Sequence, residues 1–186
     1  MLRLMRARLG TLDVVPAVER TDLVATPVAA ALAAWKGAVA VEEIGVAEID
    51  PALADTAAFC ERYGVDLRES ANCVVVAARR AGDTRLAACV VLATTRADVN
   101  GLVRRHLGAR RASFAPMDVA IAETGMEYGG ITPIGLPESW PILIDAAVPS
   151  VPWAVVGSGV RRSKLVMPGR AFAELPGAVV LHNLGR

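Results

Sequence analysis

Between Glu123 and Asp145 the chain reads ETGMEYGGITPIGLPESWPILID. Gly129, Gly130, Thr132, Pro133 and Gly135 fall within seven positions there. Glycine lets backbone N–H groups approach a ligand closely, and proline fixes the loop around them. The loop reads as a substrate cradle in which Gly129 and Gly130 offer amides and Thr124 and Thr132 offer hydroxyls. The alternative reading is an ordinary structural turn. The segment Pro141–Asp145 is an expected strand ending in a carboxylate, suited to an ammonium, a ribose hydroxyl or simply a strand-end turn.

A second small-residue stretch, Gly157-Ser158-Gly159, precedes Arg161 and Arg162. It is either a hairpin turn or a second wall that presents amides to an anion. Neither stretch has the spacing of a Walker A or dinucleotide fingerprint, so no nucleoside triphosphate or NAD site is expected. The thiols are Cys60, Cys73 and Cys89, and the only histidines are His106 and His182. With no C-x-x-C and no cluster at ligand spacing, neither a Cys–His nucleophile nor a zinc site is expected.

The elements that must position these residues follow from pattern and punctuation. Helices are expected over Val24–Trp35, from Pro51 to Tyr63 with Gly64 as the stop, from Asp98 to Gly108, and over Pro116–Thr124 before Gly125. Pro168–Leu175 reads as a short helix. Ala38–Ile49 carries β-branched residues for one or two strands. Cys73–Arg80 and Arg85–Ala93 form a hairpin across the loop Ala-Gly-Asp-Thr, and their near-continuous apolar runs place both strands centrally in a sheet. Trp153–Val156, Lys164–Met167 and Ala178–Leu181 complete the strands. Helices interspersed with hairpins indicate a mixed α/β fold.

A chain of 186 residues with a formal net charge of +1 is most simply one domain with a sizeable core. The longest apolar runs, Val28–Trp35 and Leu86–Ala93, are eight residues each, against about 20 for a membrane span. The opening MLRLMRARLG lacks an apolar stretch of secretory type and reads as a first strand or a loose extension. Reduced thiols in the cytosol fit this picture. Arg104, Arg105, Arg110 and Arg111, and then Arg161, Arg162 and Lys164, are local basic clusters: solvated faces or phosphate contacts.

Taken together, ETG, GGITPIGL, PILID and GSGVRR resemble the YbaK-type aminoacyl-tRNA deacylases, the group that includes the prolyl-tRNA synthetase editing domain and its free-standing relatives. In that family a GGxSP-like loop follows ETG. Gly129 and Pro133 keep its four-residue separation, and Thr132 stands where serine is frequent. The hairpin and the stretch GARRASFAP fit the family's order, so the resemblance runs over roughly Ala54–Val180 and leaves residues 1–50 as a less certain N-terminal part of a single domain, 1–186.

The resemblance implies a mixed, mostly antiparallel curled sheet with flanking helices. It implies a free-standing hydrolase that removes a small, wrongly attached amino acid from tRNA. The partners implied are the acceptor end of aminoacyl-tRNA and an aminoacyl-tRNA synthetase, with no metal or organic cofactor. Asn72, Gly130 and Ile131 would be catalytic. Thr124, Gly129, Thr132, Pro133, Asp145, Gly157, Ser158 and Gly159 would hold substrate, and Arg161 and Arg162 would hold tRNA. One position departs from the pattern. Where the family usually has a lysine at the start of the first hairpin strand, this chain has Asn72, which keeps hydrogen bonding without charge. A non-catalytic module that binds the aminoacyl end or another small ligand is therefore the alternative, and a hydrolase acting on a different ester or amide is a third reading.

Overall fold

A computed structural model describes residues 9–186, so most of the expected N-terminal strand or extension lies outside it. In chain order the strands are β1 (Val15–Pro16), β2 (Gly45–Glu48), β3 (Ala71–Arg80), β4 (Asp83–Leu92), β5 (Arg111–Phe114), β6 (Ile142–Asp145), β7 (Trp153–Gly157), β8 (Ser163–Pro168) and β9 (Ala178–Leu181). The α-helices are α1 (Thr26–Ala33), α2 (Thr56–Tyr63), α3 (Arg104–His106), α4 (Met117–Thr124) and α5 (Ala147–Ser150).

The strands form two sheets. One is antiparallel in the order β1-β2-β8-β7. The other runs β5-β3-β4-β6-β9, antiparallel through β5, β3 and β4 and parallel through β4, β6 and β9. The fold is thus mixed α/β. The sheets face each other across one apolar core: Ala88, Val90, Ile142 and Ile144 from the second sheet meet Val46, Val156, Leu165 and Met167 from the first. The opposite face of β4 is covered too, because Ala87, Cys89 and Val91 pack with Val99, Val103 and Leu184. Burial on both faces is why β3 and β4 read as unbroken apolar runs.

The two sheets touch at a seam. Ser70, just before β3, pairs with Val155 of β7 in a single parallel bridge. Beyond it β3 and β7 part, and the opening between them is where a cavity forms.

Several local expectations change. The hairpin turn has two residues rather than four, since Ala81 (φ 50°) and Gly82 (φ 91°) both take left-handed backbone and Arg80 pairs directly with Asp83. Such a turn matches the right-handed twist of the strands and extends both of them. The helix expected from Pro51 is broken: a 3-10 turn spans Pro51–Leu53, and α2 starts only after Asp55. The helix expected from Asp98 opens as a π turn over Val99–Val103, where the Asp98 carboxylate accepts from the Gly101 and Leu102 amides. Gly169–Glu174 is likewise a 3-10 segment, and Gly64 closes α2 at φ 67° as expected. Edge strand β5 has no counterpart among the expected elements.

Candidate active site

A cavity of about 360 Å³ opens at the seam between the sheets. Its floor comes from Ser70, from Ala71–Val75 of β3 and from Val155–Gly157 of β7. Ala54, Asp55 and Thr56 at the start of α2 form one wall, and Tyr128, Gly129 and Ile131 of the glycine loop form the other. Phe114 and Ala120 approach from β5 and α4, and Lys164 enters from β8. A larger hollow of about 930 Å³ lies at the hairpin tip, but it is lined by the mixed charges of Arg80, Asp83, Arg85 and Glu123 and by no residue of the glycine loop.

Asn72 projects from β3, where the Thr56 hydroxyl donates to its Oδ1 at 2.7 Å. That bond fixes the amide orientation and leaves the Nδ2 hydrogens without a protein acceptor among the described residues. Lys164, which the sequence pattern did not single out as a site residue, is 8% exposed and donates from Nζ to the Ala54 carbonyl at 2.8 Å. The break before α2 places that carbonyl outside the helix. The ammonium also sits 5.3 Å from the centre of the Phe59 ring. Burial lowers the Lys164 pKa to about 8, and the nearby Arg161 charge adds to the effect, while Asp55 opposes it. No carboxylate pairs directly with it among the described residues. A buried ammonium with donors to spare on a cavity wall suits an electron-rich oxygen. The sequence signal was faint: one lysine within the apolar run of β8.

The glycine loop is held by tight chain crossings. A Cβ on Gly157 would lie 2.3 Å from the Gly130 carbonyl oxygen and 2.4 Å from that of Ile131, and one on Gly130 would lie 2.6 Å from the Val160 backbone. The two small-residue stretches therefore pack against each other, and glycine is required for the approach. The Gly130 amide already donates to the Glu127 carbonyl at 2.9 Å, so it is not available to a ligand. The Gly129 and Ile131 amides have no such partner among the described residues.

The other expected site residues divide by position. Asn72, Gly129, Ile131 and Gly157 line the cavity; Gly130 backs it. Thr124, Thr132, Pro133, Asp145, Ser158 and Gly159 do not line it. The Thr124 hydroxyl donates to Ala120 and accepts from the Met126 amide, closing α4. Thr132 is wholly buried and its hydroxyl has no partner among the described residues. Asp145 accepts from the Ala147 and Gly185 amides at 2.9 and 2.8 Å, tying the C-terminal segment to β6. Ser158 donates to the Ser163 carbonyl and accepts from the Ser163 hydroxyl inside the β7–β8 turn. Gly159 takes φ 87°, in the same turn. Arg161 crosses the rim, donating to Pro51 at 3.2 Å and lying 3.4 Å from Asp55, while Arg162 donates to the Asp22 carbonyl.

The thiols are unsuited to nucleophilic work. Burial raises the Cys73 pKa, although Cys73 lines the cavity, and pushes Cys89 up to about 12. Among the described residues no group of three or more His, Cys, Asp or Glu side chains is placed to hold a metal, and no helix is long and apolar enough to cross a membrane.

Solved structures share this architecture. A candidate trans-editing enzyme for prolyl tRNA synthetase superposes with TM-score 0.66 at 18% identity, over 76% of this chain and 87% of its own. A scaffold from computational epitope backbone grafting gives 0.71 at 20% identity, over 85% and 95%. A hypothetical protein gives 0.63 at 23% identity, over 72% and 85%. At these identities the likeness establishes the fold alone. The sequence itself goes further, because residues 50–175, which contain α2, the hairpin, the glycine loop and Lys164, match the profile of the aminoacyl-tRNA editing domain. The chain belongs to the aminoacyl-tRNA editing domain family.

Proposed function

We propose that this protein is a free-standing deacylase that hydrolyses the ester between a small, wrongly attached amino acid and the tRNA 3′ adenosine. The observation that carries this reading is the convergence on one cavity of the Asn72 amide, the Ile131 N–H and the Lys164 ammonium, all donors with capacity left over. Water attacks the ester carbonyl carbon, the bond to the ribose oxygen breaks, and that oxygen takes up a proton. Negative charge develops on the carbonyl oxygen, and positioned donors stabilise it. Asn72 and Ile131 direct neutral N–H groups at that oxygen, and Lys164 supplies the charge that Asn72 lacks. Asp55, whose carboxylate is at the cavity wall, receives the substrate's α-ammonium. Gly129 and Gly157 leave room for the ribose.

A preference for small side chains is supported by size. About 360 Å³ is near the low end of the ~300–1,000 Å³ typical of ligand sites, and the ribose shares it. Val74, Val75 and Ile131 limit what remains. We take the described chain as one domain because the two sheets share a core and a seam.

The test is a deacylation screen of purified protein against tRNAs charged with Ala, Ser, Cys, Thr and Pro, alongside Asn72→Ala. The expected result is turnover of at least one small aminoacyl ester, slowed about 10- to 1,000-fold by Asn72→Ala, the range for loss of a positioned donor. Binding of charged tRNA without turnover would instead support the non-catalytic module, which the Asn72 position favours.

A further inference from the structure

The arginines outside the cavity form a site of their own. A groove of about 430 Å³ is lined by Arg79, Arg104, Arg110 and Arg111, with Asn100 and Ser113, and among the described residues no acidic side chain lines it. None of the four arginines makes a salt bridge among the described residues, whereas Arg20, Arg68, Arg161, Arg170 and Arg186 all do. Arg79 and Arg111 are directly opposite each other across β3 and β5. Like charges at that register repel, and sheets ordinarily avoid the pairing. Arg104 is pinned toward the groove by its Nε, which donates to the Asn100 carbonyl at 2.9 Å. A chain with formal net charge of only +1 has concentrated four uncompensated guanidinium groups here, a pattern whose complement is a row of anions.

The groove and the cavity both draw on β3. Cys73 and Val75 line the cavity, and Ala77 and Arg79, the next residues on the same face of β3, line the groove. At ~3.3 Å per residue, Val75 and Arg79 are about 13 Å apart along the strand, within reach of a few nucleotides. Phe114 and Tyr128, at 60% and 57% exposure, stand at the cavity mouth as surfaces on which a base can stack.

We infer that this arginine groove binds the phosphates of the single-stranded 3′ end of the tRNA acceptor arm and feeds the terminal nucleotide past Phe114 and Tyr128 into the cavity. The inference rests on the deacylase reading for the identity of the RNA, but not for the groove's charge. The Arg161 and Arg162 guanidinium groups donate to the carbonyls of Pro51 and Asp22, and Arg161 also faces the Asp55 carboxylate, whereas no carboxylate faces the groove arginines among the described residues.

The probe is an uncharged RNA hairpin that ends in a single-stranded 3′ overhang, compared with its blunt counterpart. Affinity is measured across salt concentrations for the full chain, for Arg79→Gln/Arg104→Gln/Arg110→Gln/Arg111→Gln, and for a lysine version of the same four. Arg20→Gln/Arg62→Gln/Arg68→Gln/Arg170→Gln, which removes four arginines that do not line the groove, controls for net charge. The glutamine variant should bind the overhang hairpin at least 10-fold more weakly at low salt. Its salt slope should fall by roughly 0.7 per lost contact to single-stranded phosphate. The lysine variant should recover the slope, and the control should keep it. An unchanged slope, an equal loss in the control, or equal sensitivity of the blunt hairpin would overturn the inference. Because the probe carries no amino acid, a protein that binds it as expected yet deacylates nothing would remove the hydrolase reading and leave the groove assignment standing.

Discussion

Replacing Lys164 by Met tests the site most sharply, because stability and activity should move in opposite directions. Methionine keeps an unbranched stem beside Phe59 and removes the charge. In the folded protein burial brings the lysine pKa from 10.5 to about 8. A group whose folded pKa is depressed in this way opposes folding by the full amount below that value, where both states hold the proton. As pH rises from about 8 to about 10.5, only the unfolded chain still binds the proton, so the penalty fades. The difference corresponds to about 3 kcal/mol at neutral pH, from about 1.4 kcal/mol per pH unit. Loss of the hydrogen bond to the Ala54 carbonyl returns about 1 kcal/mol. Lys164→Met should therefore be more stable than wild type by about 2 kcal/mol at pH 7, with the gain absent near pH 10.5. The measurement is urea unfolding of both proteins across that pH interval, read as their difference so that other titrating groups cancel. Deacylation, corrected for uncatalysed ester hydrolysis, should fall at least 10-fold in the variant, and in wild type it should decline as pH passes about 8. A variant less stable than wild type by a pH-independent amount would refute the claim that the ammonium is held at a cost. Full activity in the variant would refute its role at the ester.

Two further substitutions address the glycine loop. Thr132→Val replaces a buried, unpartnered hydroxyl with a methyl group; it should raise stability by about 1 kcal/mol and leave any deacylation within twofold, whereas a large loss of activity without unfolding would return Thr132 to the substrate. Gly157→Ala drives a methyl into the Gly130 and Ile131 carbonyls, which are backbone and cannot swing aside; the cost should be about 2–3 kcal/mol by thermal or urea unfolding, and a variant as stable as wild type would show that the crossing tolerates bulk.

Much of the fold could be read from residue order because the signals were local. Gly64 and Gly125 stop helices by taking left-handed backbone, and the apolar runs of β3 and β4 announce strands covered on both faces. The segment ETG through PILID marked a tightly punctuated loop beside a strand for the same reason. Boundaries failed where a neighbour outweighed local preference, as at Ala81, whose left-handed turn is enforced by the twist of the hairpin it joins.

The membership of the site was a tertiary matter. Along the chain, Thr132, Ser158 and Asp145 look like ligand-facing polar groups, yet in the fold the Ser158 and Asp145 side chains bond to backbone groups, and Thr132 is sealed away. Asn72 and Lys164 are separated by most of the domain in sequence and belong to different sheets, and only the seam at Ser70 and Val155 brings them to one cavity. The like-charged pair Arg79 and Arg111 likewise exists only through β-sheet register. Residue order determines which backbone each segment can adopt, since those preferences act over a few neighbouring residues. Which side chains share a cavity depends on how the sheets pair and meet, and that pairing is decided by burial across the whole core.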